Sequence, residues 1–249
     1  MNAQAVVDYL VEWTRDGVNR AGAKGVVFGL SGGVDSAVTA LIAQKAFPDS
    51  HMALVLPCAS ELNDRIDAER MANEFGIKYR VVVLDNVYNM FMTLAESYLK
   101  FDGHKGKVLR ANIKSRLRMT TLYYSAQARD YLVLGTSNKS EINVGYATKY
   151  GDSGVDLQVL GDLLKCEIYE LGRFLKVPEA ILNKPPSGGL WPGQTDEEEL
   201  GFTYRELDTY LTGGSVEPAV VQKIEYLRGK SEHKRQMPPV AFIPPDLRL

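Results

Sequence analysis

The sequence has little of what marks a secreted, membrane-spanning or nucleic-acid-binding chain. It has two cysteines, Cys58 and Cys166. They lie far apart and without zinc-site spacing, so neither a disulfide framework nor a structural metal is expected, and a reduced, cytoplasmic setting fits. No apolar run reaches the roughly 18 residues of a spanning helix, and the first residues lack the basic-then-apolar order of a signal peptide. No membrane association is expected. Neither sign of charge dominates: the net charge is −2, which gives no general footprint for nucleic acid. No internal repeat is visible. What remains is 249 residues, 45% of them hydrophobic, enough for one large domain over 1–249 with a sizeable core.

One stretch organises the chain. Val26, Val27, Phe28 and Leu30 read as a strand buried on both faces. The turn that follows, Gly29-Leu30-Ser31-Gly32-Gly33-Val34-Asp35-Ser36, opens a helix expected over 35–46. Its glycines let backbone N–H groups approach a ligand, and the positive end of the helix dipole faces the same point. Asp35 or Ser36 is expected to cap the helix. This is an anion site, with phosphate the natural occupant. The Lys of the common phosphate loop is absent after Gly33, and a carboxylate stands there instead. A carboxylate beside phosphate makes sense if Mg²⁺ lies between them.

Further on, strands over 52–57 and 79–84 alternate with helices over 2–20, 64–75 and 86–100, so an open parallel α/β sheet with helices on both faces is expected. Residues 101–107 read as a polar break, with His104 solvated, before a long helix over 108–129 whose Leu109, Ile113, Leu117, Leu122 and Ala126 face inward. Asn112 and Arg116 share one face of it, and Arg116 is either part of a solvated basic face or a ligand contact. A second strand-and-turn, 131–141, ends in Glu141. If its strand neighbours the first, Asp35 and Glu141 reach one Mg²⁺; otherwise Glu141 is an ordinary first-turn acid. Lys165 starts a helix over 163–175, where a cation opposes the dipole; either an anion holds it there or it snorkels at the surface. Residues 183–200 read as a mobile loop, with Thr195 and Glu198 forming a capping box for the next helix. Helices over 203–211 and 216–229 precede a basic tail, 230–249.

The loop Ser31-Gly32-Gly33-Val34-Asp35-Ser36 resembles that of the ATP pyrophosphatases, or PP-loop enzymes, whose fold is Rossmann-like (adenine nucleotide alpha hydrolase-like). Asn112-Ile113-Lys114-Ser115-Arg116, Gly135-Thr136-Ser137-Asn138-Lys139-Ser140-Glu141, Lys149-Tyr150-Gly151-Asp152, Lys184-Pro185-Pro186-Ser187, Gly193-Gln194-Thr195-Asp196-Glu197 and Glu232-His233-Lys234-Arg235 together resemble the ammonia-dependent NAD synthetase family within that group. The resemblance covers about residues 5–240. It implies that ATP adenylates the nicotinate carboxylate of deamido-NAD, that pyrophosphate leaves, and that ammonia then displaces AMP to give NAD. By the same resemblance, residues 29–36 with Thr136, Lys165 and Ser187 contact ATP. Asp35 and Glu141 hold Mg²⁺. Arg116, Lys149, Asp156, His233 and Lys234 contact deamido-NAD, and Lys165 and Asp152 are catalytic. Asp152 lies near the ammonia; carboxylates titrate far below ammonium, so it is expected to position it. Many members resemble P-[ST]-A-D-L in the mobile loop, whereas this chain has Pro186-Ser187-Gly188-Gly189-Leu190, so no role of that Asp passes to Gly189. A chain of this length leaves no room for a glutaminase domain, so free ammonia is the expected nitrogen source unless a separate glutaminase subunit supplies it. A homodimer is implied, with the 2–20 and 108–129 helices as candidate surfaces. Two rivals stand beside this reading: a tRNA-modifying adenylase, favoured by the basic helix, and a non-catalytic nucleotide-binding module.

Overall fold

A computed structural model describes residues 1–191 and 193–248. Pro192, in the expected mobile loop, and Leu249, at the end of the expected tail, lie outside the described residues. In chain order the elements are α1 (Ala3–Arg20), β1 (Gly25–Gly29), α2 (Val34–Ala46), β2 (His51–Val55), α3 (Leu62–Phe75), β3 (Tyr79–Val81), α4 (Asp85–Tyr98), α5 (Gly103–Gln127), β4 (Tyr131–Gly135) and α6 (Lys139–Val144). These are followed by β5 (Leu157–Gln158), α7 (Lys165–Phe174), α8 (Glu179–Leu182), α9 (Asp196–Leu200), α10 (Tyr204–Leu211) and α11 (Pro218–Lys230).

Among the described residues the sheet has five strands, all parallel, in the order β3-β2-β1-β4-β5. Side chains alternate between its faces. Val26 and Phe28 join the core under α1, α2 and α7, while Val27 joins the core under α4 and α5. β2 and β4 divide likewise: Val55 and Leu134 enter the first core, Leu54 and Val133 the second. A third, smaller core ties α6, α10 and α11 together through Val144, Phe202, Leu207 and Ile224. The chain moves outward from β1 through β2 to β3, then returns to add β4 on the other side of β1. That reversal opens a crevice at the carboxyl ends of β1 and β4.

Several boundaries differ from expectation. β3 stops at Val81, opposite Val55 where β2 itself ends, and Val82 and Val83 are exposed. α5 starts at Gly103, not 108: Asp102 takes the extended N-cap conformation and its carbonyl accepts from Gly106 N–H, so the polar break shrinks. Leu109 on that helix is exposed. Neither expected cap is made by Asp35 or Ser36. Gly33 holds the N-cap position, and Ser36, one turn in, bonds back to the Gly33 carbonyl. Thr195 holds the α9 N-cap position without a side-chain cap. The expected capping box there is not made.

Candidate active site

The crevice is a cleft of about 500 Å³. Gly29, Leu30, Ser31, Gly33, Val34, Asp35, Ser36, Thr136, Glu141, Asp152, Lys165, Ser187 and Lys234 line it. Gly32 does not, but the turn depends on it. Its φ is +83°, and a Cβ there would meet the Asp64 carbonyl oxygen at 2.6 Å, so only glycine lets the loop pass α3. Ser31 N–H donates to Ser36 Oγ, and Gly33 N–H to Ser31 Oγ. The loop is thus held in shape by its own serines.

β4 pairs directly with β1, so Asp35 and Glu141 come together as expected for neighbouring strands. Lys165 joins them. Its Nζ lies 2.6 Å from Asp35 Oδ2 and 3.1 Å from Glu141 Oε1. The lysine is 3% exposed, which excludes snorkelling; the anion that holds it at the start of α7 is this pair of carboxylates. Burial alone would lower its pKa, but Asp35 and then Glu141 outweigh that and hold it well above the usual lysine range. Burial pushes Glu141 the other way from an ordinary carboxylate, upward, against the pull of Lys165.

Three partners of this centre escaped sequence reasoning. Asn138, fully buried, donates from Nδ2 to Asp35 Oδ1 at 2.8 Å and also caps α6. It stood within the quoted Gly135–Glu141 motif, one residue after a strand-ending turn, which is a capping signal. Tyr204 OH lies 3.0 Å from Asp196 Oδ2 and 3.4 Å from Glu141 Oε1, with Lys165 Nζ over its ring. Asp196 is 4% exposed, and its Oδ1 has no hydrogen-bond partner among the described residues. Two carboxylates therefore pair with the ammonium, and Tyr204 links a third, Asp196, to Glu141.

The other end of the cleft is differently built. Asp152 Oδ1 accepts from Ser115 Oγ at 2.7 Å and from Thr148 N–H at 2.9 Å. Lys234 lines the cleft but donates to the Gly145 and Ala147 carbonyls. Arg116, Lys149, Asp156 and His233 are not in the cleft lining. Arg116 donates to the Lys149 carbonyl, and Lys149 to the His233 carbonyl. Asp156 accepts from Val133 N–H and Tyr123 OH.

Residues 184–191 and Gln194 form one wall of the cleft. Lys184 pairs with Asp64 at 2.7 Å and Asp67 at 2.9 Å on α3. Gly189 has φ +59°, and a Cβ there would lie 3.0 Å from Asp64 Oδ2. The departure noted in this loop thus has a physical setting: an aspartate at 189 would be strained and would face a second carboxylate.

The family described as "NAD synthase" matches residues 6–238. The chain belongs to the NAD synthase family. An NH3-dependent NAD+ synthetase from Syntrophomonas wolfei is 64% identical over 248 residues, covering 100% of both chains. Its name gives the ligase activity expected here from the motifs. Among solved structures, an NMN synthetase from Francisella tularensis has a TM-score of 0.90 at 36% identity, covering 98% of this chain and 99% of that one. An NH3-dependent NAD synthetase from Campylobacter jejuni has a TM-score of 0.80 at 27% identity, covering 97% and 100%. The expected Rossmann-like α/β fold agrees with both. Among the described residues no helix is long and apolar enough to cross a membrane.

Proposed function

We propose that this cleft amidates deamido-NAD with ammonia at the expense of ATP, in two steps that use its two ends. The observation that carries the reading is the buried Lys165, held between Asp35 and Glu141 beside a phosphate-shaped loop. In the first step a nicotinate carboxylate oxygen attacks the α-phosphorus of ATP and the bond to the β-phosphate oxygen breaks. Residues 29–36 present N–H groups to the phosphates, Thr136 and Ser187 flank them, and Lys165 offsets charge on the departing pyrophosphate. In the second step ammonia attacks the acyl carbon, the bond to the AMP oxygen breaks, and a proton is lost. Asp152, oriented by Ser115 and Thr148, positions the ammonia.

The donor set suits Mg²⁺. Asp35 and Glu141 offer hard oxygens on the cleft, and the buried Asp196 beside them keeps one oxygen, Oδ1, without a hydrogen-bond partner among the described residues. Asp35 and Glu141 would hold the ion, which supplies charge neutralisation at the phosphates.

The family resemblance assigns Arg116, Lys149, Asp156, His233 and Lys234 to deamido-NAD; of these only Lys234 lines the cleft, so on this reading the others meet the part of the dinucleotide that extends beyond it. A homodimer fits this reading, though not over α1, whose apolar stripe packs on α2 and α7. The exposed apolar face is Val87, Met90, Phe91, Leu94 and Tyr98 on α4, continued by Leu109 and Tyr124 on α5. We read the whole of 1–249 as one cytoplasmic synthetase unit, with 183–200 as a lid and 230–249 as a tail within it.

The likeness to an NMN synthetase favours a second reading, with nicotinate mononucleotide as the acceptor. One assay decides: ATP, Mg²⁺ and ammonium with either acceptor, following AMP, pyrophosphate and the amide. NAD from deamido-NAD, at a higher kcat/KM than NMN from the mononucleotide, supports the first reading; the reverse preference replaces it. Glutamine in place of ammonium tests the nitrogen source, and sedimentation of Leu94→Lys tests the dimer face.

A further inference from the structure

Lys114 is a buried cation that the reaction above does not use. It is 6% exposed, and among the described residues it makes no ion pair. Its neighbours on α5, Ala111, Asn112, Ser115 and Arg118, line the cleft; Lys114 does not. Its Nζ donates instead to two backbone carbonyls, Ala59 O at 2.7 Å and Leu190 O at 2.7 Å. One belongs to the loop after β2, the other to the cleft wall formed by residues 184–191.

The ammonium also lies 5.5 Å from the centroid of the Tyr88 ring, but among the described residues no carboxylate pairs with it, and an apolar side chain of similar shape would hold the fold at less desolvation cost. Lys114 also has Arg118, a like charge, one turn away. Burial first, and then Arg118, lowers its pKa. What the arrangement does achieve is to join two segments that both line the cleft, Ser60 and Glu61 on one and Ser187 to Trp191 on the other. Each has other anchors, Arg118 on the Leu56 carbonyl and Ser60 Oγ of the first and Lys184 on Asp64 and Asp67 for the second, but Lys114 bonds both segments at once. Ala59 has φ 45°, a strained value for a side-chain-bearing residue. It is pinned by Asp85 Oδ1 at its N–H and by Lys114 at its carbonyl. Leu190 is pinned by Gln194 at its N–H and by Lys114 at its carbonyl.

We propose that Lys114 is a positioning residue that latches the lid, through the Leu190 carbonyl, to the loop after β2 and so closes the cleft over ATP. It touches neither substrate nor reacting atoms. It acts by fixing the two walls between which the nucleotide lies. The inference takes the identity of the ligand from the proposed function, but its central observable, the exposure of the lid, needs no turnover.

Trp191 lies in the lid and is half-buried, so acrylamide quenching of its emission in a Trp13→Phe background reports closure. The full-length protein is used, with and without ATP and Mg²⁺. For Lys114→Met, Trp191 quenching rises toward the value of an exposed indole in both states. KM for ATP rises about tenfold, the loss of one to two charge-assisted hydrogen bonds, while kcat at saturating ATP falls by less. Lys114→Arg, which keeps charge and donors, recovers most of both. Wild-type quenching and wild-type KM in a folded Lys114→Met overturn the latch. So does a higher KM with unchanged quenching, which makes Lys114 a nucleotide contact. If Lys114→Met does not fold, Lys114→Gln carries the same readouts; failure of both to fold makes Lys114 a structural residue and also overturns the proposal. If no acceptor is amidated, the proposed function fails, yet the ligand-free quenching still decides the latch.

Discussion

The two ends of the cleft are built on different terms. At the carboxyl ends of β1 and β4, Asp35, Glu141, Lys165 and Asn138 already bond one another, and the lysine is almost fully buried. Beyond the opposite rim, where Lys234 lines the cleft, Arg116, Lys149 and His233 hold one another mainly through backbone carbonyls near the surface. Electrostatic catalysis works best when charges are fixed before substrate arrives, because no reorganisation is then needed. The first end meets that condition within one chain. The second end has donors that must exchange their present acceptors for a ligand, which suits binding and selection more than bond-making.

The largest effect expected from this contrast is at the preformed end. Asp35→Asn or Glu141→Gln should lower kcat by about 100-fold or more while leaving the KM for the nicotinate substrate within a few-fold. Each keeps its fold, because Lys165 retains the other carboxylate. Lys165→Met is different: it strands both carboxylates without a cation, and a loss of about 3–5 kcal/mol in unfolding free energy is expected. Steady-state kinetics paired with urea denaturation read all three. A wild-type kcat in either carboxylate variant would remove that residue from the reacting centre and erase the distinction between the ends.

At the rim, Lys234→Ala should raise the KM for the nicotinate substrate about tenfold with little change in kcat. It should also cost about 1–3 kcal/mol of stability, because the Gly145 and Ala147 carbonyls lose their donor. His233→Ala separates the two roles. His233 is exposed and offers only its carbonyl and a long ring contact to Lys149, so a KM increase of a few-fold should come with unchanged stability. If both variants lose stability equally and neither shifts KM, the rim is scaffold and the comparison collapses.

How far the sequence carried this picture follows from the same contrast. The first end was legible because it rests on local rules. An apolar strand, a small-residue turn and a first-turn acid occur twice, and parallel pairing brings the acids together. Lys165 was legible as an anomaly, a cation at a helix start, though the sequence alone left open whether an anion or the surface held it. Asp196 and Tyr204 were not legible as partners of Glu141. Their meeting depends on α9 and α10 folding back over α6 and α7, a packing that no periodicity encodes. Lys114 was hidden for a related reason: in a run of basic residues on a helix, only tertiary contact distinguishes those that turn inward, here Lys114 and Arg118, from the rest. The start of α5 was missed because Gly103 and Gly106 read as breakers, whereas a helix's first turn tolerates them once Asp102 supplies the cap position.

The smallest effect lies outside both ends and serves as their control. His51, at the start of β2, is 2% exposed. The Lys78 N–H can only donate, so His51 Nε2, 3.2 Å away, accepts and Nδ1 carries the proton to the Phe47 carbonyl at 2.7 Å. This is a neutral imidazole with both nitrogens in use. Burial, aided by the charge of Lys78 and opposed by the Phe47 carbonyl, lowers its pKa below the ordinary 6.5. A base depressed in the folded state binds its proton more readily when unfolded. Its contribution to stability is therefore complete above about pH 6.5 and declines as the pH falls toward the folded value, by at most about 1.4 kcal/mol per pH unit. Urea denaturation at pH 7.5 and pH 5.5 should show this decline in the native protein and a weaker one in His51→Gln, whose amide cannot titrate. The ratio of kcat between Asp35→Asn and the native protein should not change with it, because His51 sits at the amino end of the sheet, opposite the cleft. An identical acid decline in His51→Gln would shift the source of acid sensitivity to the carboxylate-rich centre, and the claim that this centre is fixed by the fold would need to yield to one in which it titrates.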